Sequence, residues 1–164
     1  MTQFKGQKEL KPAEKIEDVM NYGLWHLGRR DHSIHELKVK LGRKTDNPDW
    51  IEESIEQMKT AGYLNDRKFV ENFLEYCNEY KQYGPTRIKQ ELKLKGAEND
   101  IIKLVMEESE FDYFELALKC LNKKAREPVK DRKEKESLTR FLLSRGFSFD
   151  MIKYAFSEHL KEDE

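Results

Sequence analysis

Apolar residues recur at three- and four-residue intervals along almost the whole chain, and one such phrase is written three times. Leu37 and Leu41 are followed by Asp49, Trp50, Ile51 and Ile55; Ile88 and Leu92 by Asp100, Ile101, Ile102 and Met106; Leu138 and Leu142 by Asp150, Met151, Ile152 and Phe156. The strict alternation of a half-buried strand is absent, so the elements are helices. A phrase repeated at a period of about 50 residues marks a tandem array. The predicted fold is all-α: three tandem three-helix repeats, nine helices in all, forming an elongated, curved array in which each unit buries its apolar face against its neighbours. Function is then expected along a surface rather than in a pocket. Residues 1–13 form a flexible arm, and the repeats run over 14–65, 66–111 and 112–164, the last with an acidic tail frayed at Lys161–Glu164.

Start and stop signals agree with this division. The first helix, around Val19, Leu24, Trp25 and Leu27, ends near Arg29-Arg30-Asp31, and Ser33 with Glu36 three residues on makes a capping box for the second. In the second repeat the same start is written Gly84-Pro85. The third, at Lys133-Glu134, carries no such signal. Asn47-Pro48, Glu98 and Ser148 open the third helices, and Gly96 and Gly146 stop the second helices of the last two repeats. The charged stretch from Lys123 to Glu136 is either an exposed connection or a polar helix end. By their spacing Trp25, Trp50, Phe69, Phe73, Phe141 and Phe156 belong to the core.

Composition narrows the class. With 37% hydrophobic and 38% charged residues, 8 Gly and 4 Pro, the chain can bury a modest core. No apolar run is long enough for a membrane span, and Met1-Thr2-Gln3-Phe4-Lys5 lacks the apolar stretch of a secretory signal, so a cytoplasmic protein is expected. Cys77 and Cys120 stand in amphipathic patterns without a CxxC and are expected to be buried and free. His32 and His35 straddle a helix N-cap with only Glu36 beside them, which favours a solvated helix start over a metal site. His26 and His159 are expected to pack or face solvent. No glycine-rich phosphate loop, GxSxG or Cys/His frame is present, so neither an enzyme nor a cofactor or metal is expected.

Net charge is −1, which by itself argues against a nucleic-acid partner. The average conceals a pattern. Windows 29–44, 80–95 and 130–145 carry six basic against two acidic residues, five against one and six against three. Residues 49–57 hold four acids and no base, 98–110 five acids and one base, and 150–164 five acids and two bases. Sign alternates with the repeat, so stacking would align a basic stripe suited to a polyanion. Its candidates are Arg29, Arg30, Lys38, Arg43, Arg87, Lys89, Lys93, Lys95, Arg132, Lys133, Arg140 and Arg145. The acidic windows either balance it or dock on a basic protein surface. Tyr76, Tyr80 and Tyr83 are placed to stack on bases, although packing between repeats with wet hydroxyls is the favoured reading.

Four phrases carry a family resemblance: Arg29-Arg30-Asp31-His32-Ser33-x-x-Glu36-Leu37-x-x-Lys40-Leu41; Gly62-Tyr63-Leu64-Asn65-Asp66-x-x-Phe69; Tyr83-Gly84-Pro85-x-Arg87-Ile88-x-x-Glu91-Leu92-x-x-Lys95-Gly96; and Arg140-Phe141-Leu142-x-x-Arg145-Gly146-Phe147. In this order they resemble the RecX family of bacterial regulatory proteins over roughly residues 16–160. The family commonly has Asp where Asn65 stands, and the third repeat is the least faithful. The resemblance implies tandem three-helix repeats and a non-enzymatic protein that binds the RecA recombinase, mainly its filament on single-stranded DNA; a monomer is expected. Such a protein restrains the recombinase, ATPase and coprotease activities, within recombination, DNA repair and the SOS response. It implies contact with RecA and with the DNA itself, and by position carries over Arg29, Arg30, Arg87, Lys95, Arg140 and Arg145 to the filament-facing side. A free-standing single-stranded nucleic-acid-binding helical module and a protein adaptor are the alternatives.

Overall fold

The computed structural model describes residues 9–161. Its regular elements are nine α-helices and one π-helical turn, with no strand among the described residues. They fall into two compact units divided between Phe69 and Val70.

The first unit holds α1 (Ile16–Leu27), α2 (Ile34–Leu41), α3 (Pro48–Thr60) and the opening of α4 (Asp66–Tyr76). Its helix starts are local. The Asp18 carboxylate accepts from the backbone N–H of Glu14 and Lys15 at 2.9 and 3.2 Å, and these bonds, the first above all, hold its pKa below the usual value. Ser33 and Glu36 form the predicted capping box on α2. Asn47 accepts from Asp49 and Trp50 ahead of Pro48 at the start of α3. Buried Asp66 adds a tertiary cap, accepting from the Ile34 N–H at 2.8 Å and so tying the start of α4 to that of α2. Between these helices Val19, Leu37, Leu41, Ile55, Met58 and Leu64 are buried, with Trp50, Ile51 and Tyr22 packed partly against them. Each such aliphatic side chain contributes roughly 1.5–3 kcal/mol on burial.

The second unit continues α4 into the π-helical turn Cys77–Lys81, then α5 (Pro85–Leu94), α6 (Asn99–Glu108), α7 (Tyr113–Lys124), α8 (Arg132–Ser144) and α9 (Phe149–Glu158). One cluster of its core gathers Leu116, Ala117, Cys120, Leu121, Leu138, Leu142, Phe147, Ile152 and Ala155, with Phe141 and Phe156 half-buried against it, and Val70, Leu74, Cys77, Ile88, Leu92, Ile102 and Val105 are buried as well.

Helices α3, α5 and α8 stop in the same way. Gly62, Gly96 and Gly146 take φ of 81°, 81° and 92°, and the N–H of the following residue reaches back to the carbonyl of Met58, Leu92 and Leu142. This is the Schellman stop, which calls for a left-handed residue that glycine supplies without a Cβ penalty.

Several expectations need correction. Trp25 is not core: it is 56% exposed. His32 is not at a solvated helix start but buried, whereas His35 is exposed. Tyr76 and Tyr80 are exposed rather than packed between repeats. The third repeat does carry a start signal, at Asp131, whose side chain accepts from the Glu134 N–H at 2.8 Å while Glu134 accepts from the Lys130 N–H. Glu98 stands at the N-cap of α6 but makes no side-chain cap bond. The stretch 123–136 is both things at once, with α7 running to Lys124, a connection over 125–131 and α8 beyond it. The expected arm lies outside the described residues over 1–8, and residues 9–13 are non-helical. Of the tail, 162–164 lie outside them too.

Candidate functional site

The basic candidates divide by what already holds them. In the first unit the Arg29 guanidinium carbon lies 4.8 Å from the centroid of the Trp25 ring. Arg30 donates to the Asp31 carbonyl at 2.8 Å and pairs with Glu36 at 3.1 Å, and Lys38 pairs with Glu52 at 2.8 Å. Arg43 is exposed and has no ion-pair partner among the described residues. In the second unit Lys89, Lys93, Lys133 and Arg140 are likewise without an ion-pair partner among the described residues, on the accessible side of their helices. Arg132 pairs with Glu136 at 2.9 Å on an open surface, where such a pair contributes little. The Lys95 ammonium lies 5.6 Å from the Phe73 ring centroid.

Arg87 and Arg145 are used differently. Arg87 donates to the Ser144 carbonyl at 3.1 Å and Arg145 to the Lys81 carbonyl at 2.7 Å, each capping the end of a helical segment belonging to the other's surroundings. Tyr83 lies beneath both guanidinium groups, at 4.2 Å from Arg87 and 5.7 Å from Arg145. The backbones meet here as well: the Gly84 N–H donates to the Arg145 carbonyl at 2.7 Å and the Thr86 N–H to the Gly146 carbonyl at 3.2 Å. A Cβ on Gly84 would come within 2.4 Å of the Gly146 carbonyl, and one on Gly146 within 2.4 Å of the Arg87 nitrogen. The Arg87, Arg145 and Tyr83 cluster therefore locks the start of α5 to the end of α8. Tyr83 is the tyrosine that packs as expected.

Acidic side chains have a place of their own. Glu75 and Glu79 from α4 and the π-helical turn face Glu110, Asp112 and Glu115 at the start of α7 across an open groove of about 720 Å³. No group of three or more His, Cys, Asp or Glu among the described residues is arranged to hold a metal ion.

His26 and His32 form a buried pair with ring centroids 5.7 Å apart. The His32 Nδ1 is 2.9 Å from the Arg30 carbonyl, and both Nε2 atoms are buried without a partner among the described residues. Burial, reinforced by Lys40 and other nearby cations, lowers the His26 pKa to about 4, and burial also lowers that of His32. Both cysteines are buried and free, as expected; burial pushes the Cys77 thiol up to about 12 and raises that of Cys120, leaving neither poised as a nucleophile. No helix among the described residues is long and apolar enough to cross a membrane.

Comparison with known proteins gives consistent matches. A family model described as RecX, second three-helix domain, matches residues 65–106, and one described as RecX, third three-helix domain, matches residues 111–156. A protein of Actinobacillus pleuropneumoniae serotype 5b named "Regulatory protein RecX" is 39% identical over 132 residues, which is 80% of this chain and 86% of that one. One of the same name from Photobacterium profundum is 43% identical over 97 residues, 58% of this chain but 36% of the relative. The crystal structure of RecX from Lactobacillus salivarius superposes with a TM-score of 0.75 at 22% identity, covering 87% of this chain and 95% of that one, a likeness of fold.

Proposed function

The chain belongs to the RecX family of regulatory proteins, and from that membership we propose that it binds RecA and the RecA filament on single-stranded DNA and inhibits the recombinase, ATPase and coprotease activities. The observation that carries the reading is the 39% identity with a RecX protein across 86% of that relative's length. Relatives named as regulators, together with thiols pushed out of the nucleophilic range, suit a protein that acts by binding rather than by catalysis. We place its work in the cytoplasm, where RecA and its DNA are.

Within this reading five of the exposed candidate cations without ion-pair partners among the described residues, Arg43, Lys89, Lys93, Lys133 and Arg140, are the contact residues. Their charge is not offset by a close carboxylate there, so an anionic surface gains its full attraction. Arg87 and Arg145 serve the contact indirectly, by holding the α5 and α8 ends together. Spanning successive RecA protomers with repeats 14–65, 66–111 and 112–164 opposes the movement that accompanies ATP turnover.

The test is the single-stranded-DNA-dependent ATPase of RecA, titrated with the wild type and with a variant carrying Lys89→Glu, Lys93→Glu, Lys133→Glu and Arg140→Glu. The wild type is expected to inhibit well below one molecule per RecA and the variant to require about tenfold more, since four exposed charge contacts at a few tenths of a kcal/mol each sum to roughly 1–2 kcal/mol. Absence of wild-type inhibition at every ratio would overturn the assignment.

A further inference from the structure

Trp25 is the largest exposed aromatic side chain of the first unit, and its surroundings are built rather than incidental. It lines an open groove of about 480 Å³ together with Leu10, Asp18, Asn21, Tyr22 and Lys44. Trp25 and Tyr22 lie three residues apart on α1, so their rings share one side of the helix, and His26 meets both edge-on at centroid distances of 4.9 and 4.6 Å, fixing them from behind. A cation stands over each ring: Arg29 at 4.8 Å from the Trp25 centroid and Lys44 at 5.8 Å from that of Tyr22. Lys44 is held there by donating to the Lys11 carbonyl at 2.6 Å, and neither cation has an ion-pair partner among the described residues. The one carboxylate lining the groove among the described residues, Asp18, accepts from the backbone N–H of Glu14 and Lys15 and feels the charge of Lys44 without forming an ion pair with it.

The exposed Trp25 ring, the half-buried Tyr22 ring and cations without an ion pair among the described residues match the two parts of a nucleotide. A base has a π-face that stacks on Trp or Tyr whatever its identity, and its phosphate takes the cation. A protein anchor of ordinary apolar chemistry would not require Lys44 in the groove lining and Arg29 over the Trp25 ring. The exposed amide of Asn21, within the same groove, supplies both a donor and an acceptor to a base edge.

We propose that this groove on α1 is a stacking subsite for an unpaired base of single-stranded nucleic acid, with Trp25 and Tyr22 as the platform and Arg29 and Lys44 as the phosphate contacts. This deepens the proposed function by giving the DNA strand its own place on the chain, and it rests on that reading only for its biological setting.

The experiment uses the full chain without RecA. Tryptophan emission is followed while oligo(dT) is added at low salt, in the wild type and in a Trp50→Phe background where Trp25 is the only reporter. Quenching that saturates in both is expected. Trp25→Leu should weaken binding measured by anisotropy of a labelled oligo(dT) about tenfold, and Trp25→Phe much less, because stacking is worth about 1–3 kcal/mol per base. Lys44→Gln should instead lower the salt dependence of binding. Photocrosslinking of wild type to 5-iododeoxyuridine oligomers, mapped by mass spectrometry, should place the adduct on Trp25 or Tyr22 and keeps the test sharp even if Trp50→Phe folds poorly. No quenching with no adduct at either ring overturns the subsite. So does a Trp25→Leu variant that loses RecA inhibition while binding oligo(dT) like the wild type, which would make the groove a protein contact. Failure of the wild type to inhibit RecA bears on the proposed function and leaves this test untouched.

Discussion

His26 and His32 make the fold respond to mildly acidic pH. Both are held neutral because burial disfavours the charged imidazolium, with Lys40 adding to the effect on His26. In the unfolded chain each titrates near the ordinary 6.5, while folded His26 waits until about 4. The unfolded state therefore binds more protons in this range, and the stability from neutral burial is complete above pH 6.5 and lost as pH falls from there toward 4. Urea midpoints are expected to drop between about pH 7 and pH 5, and His26→Phe to flatten that slope; an unchanged slope would mean His26 does not stay neutral on folding. The same pair explains why Trp25 lies outside the core. Leu24, Trp25, His26 and Leu27 follow one another, so hydrophobicity favours Trp over His as the inward residue. Packing chose otherwise: the buried positions of α1 are Val19, Gly23 and His26, a spacing of four and three, and this register turns Trp25 outward.

At the scale of elements, caps and stops are legible where a single side chain or glycine carries them. Ser33 with Glu36, Asn47-Pro48, Gly84-Pro85, Ser148, Gly96 and Gly146 all do what their residue types do locally. The start of α8 is hard to see because Asp131 lies inside a run of charges, although Asp with Glu three residues on is a signal of the same kind as Ser33 with Glu36. Asp131→Ala should cost about 1 kcal/mol in thermal or urea unfolding. Glycines that look alike should behave differently. Nothing lies within 4 Å of the point a Cβ on Gly62 would occupy, so Gly62→Ala costs only left-handed strain of about 1–2 kcal/mol. Gly84→Ala drives a methyl into the Gly146 backbone and should cost roughly 2–3 kcal/mol or more although α5 itself would tolerate it. Equal losses at the two positions would argue that the α5 and α8 ends are not locked together. The π-helical turn Cys77–Lys81 and left-handed Gln82 precede this junction, and no spacing of apolar residues announces them.

For the molecule as a whole, the net charge of −1 conceals a division of labour. Acidic side chains gather at the groove between Glu75 and Glu115, while Lys89, Lys93, Lys133 and Arg140 remain without ion-pair partners among the described residues. Attraction of such cations to a polyanion is screened by salt, because the Debye length shortens from about 14 Å near 50 mM to about 7 Å near 200 mM. Inhibition of RecA by the wild type should accordingly weaken over this range far more than inhibition by the variant with those four cations reversed. A parallel salt dependence in both would place the contact elsewhere. Arg87→Ala is expected to act through stability instead, shifting the unfolding midpoint as its bond to the Ser144 carbonyl is lost.

The all-helical fold, the threefold phrase, most caps and the family were determined by the sequence alone, since each rests on periodicity and on residues close together in the chain. Which cations stand without a carboxylate, and which are engaged by Tyr83 and by carbonyls 57 and 64 residues away, was decided only by the tertiary structure. So was the exposure of Trp25 beside Tyr22 and Lys44. A charge reads the same in the sequence whether it faces water or a distant carbonyl; its role depends on contacts that only packing creates.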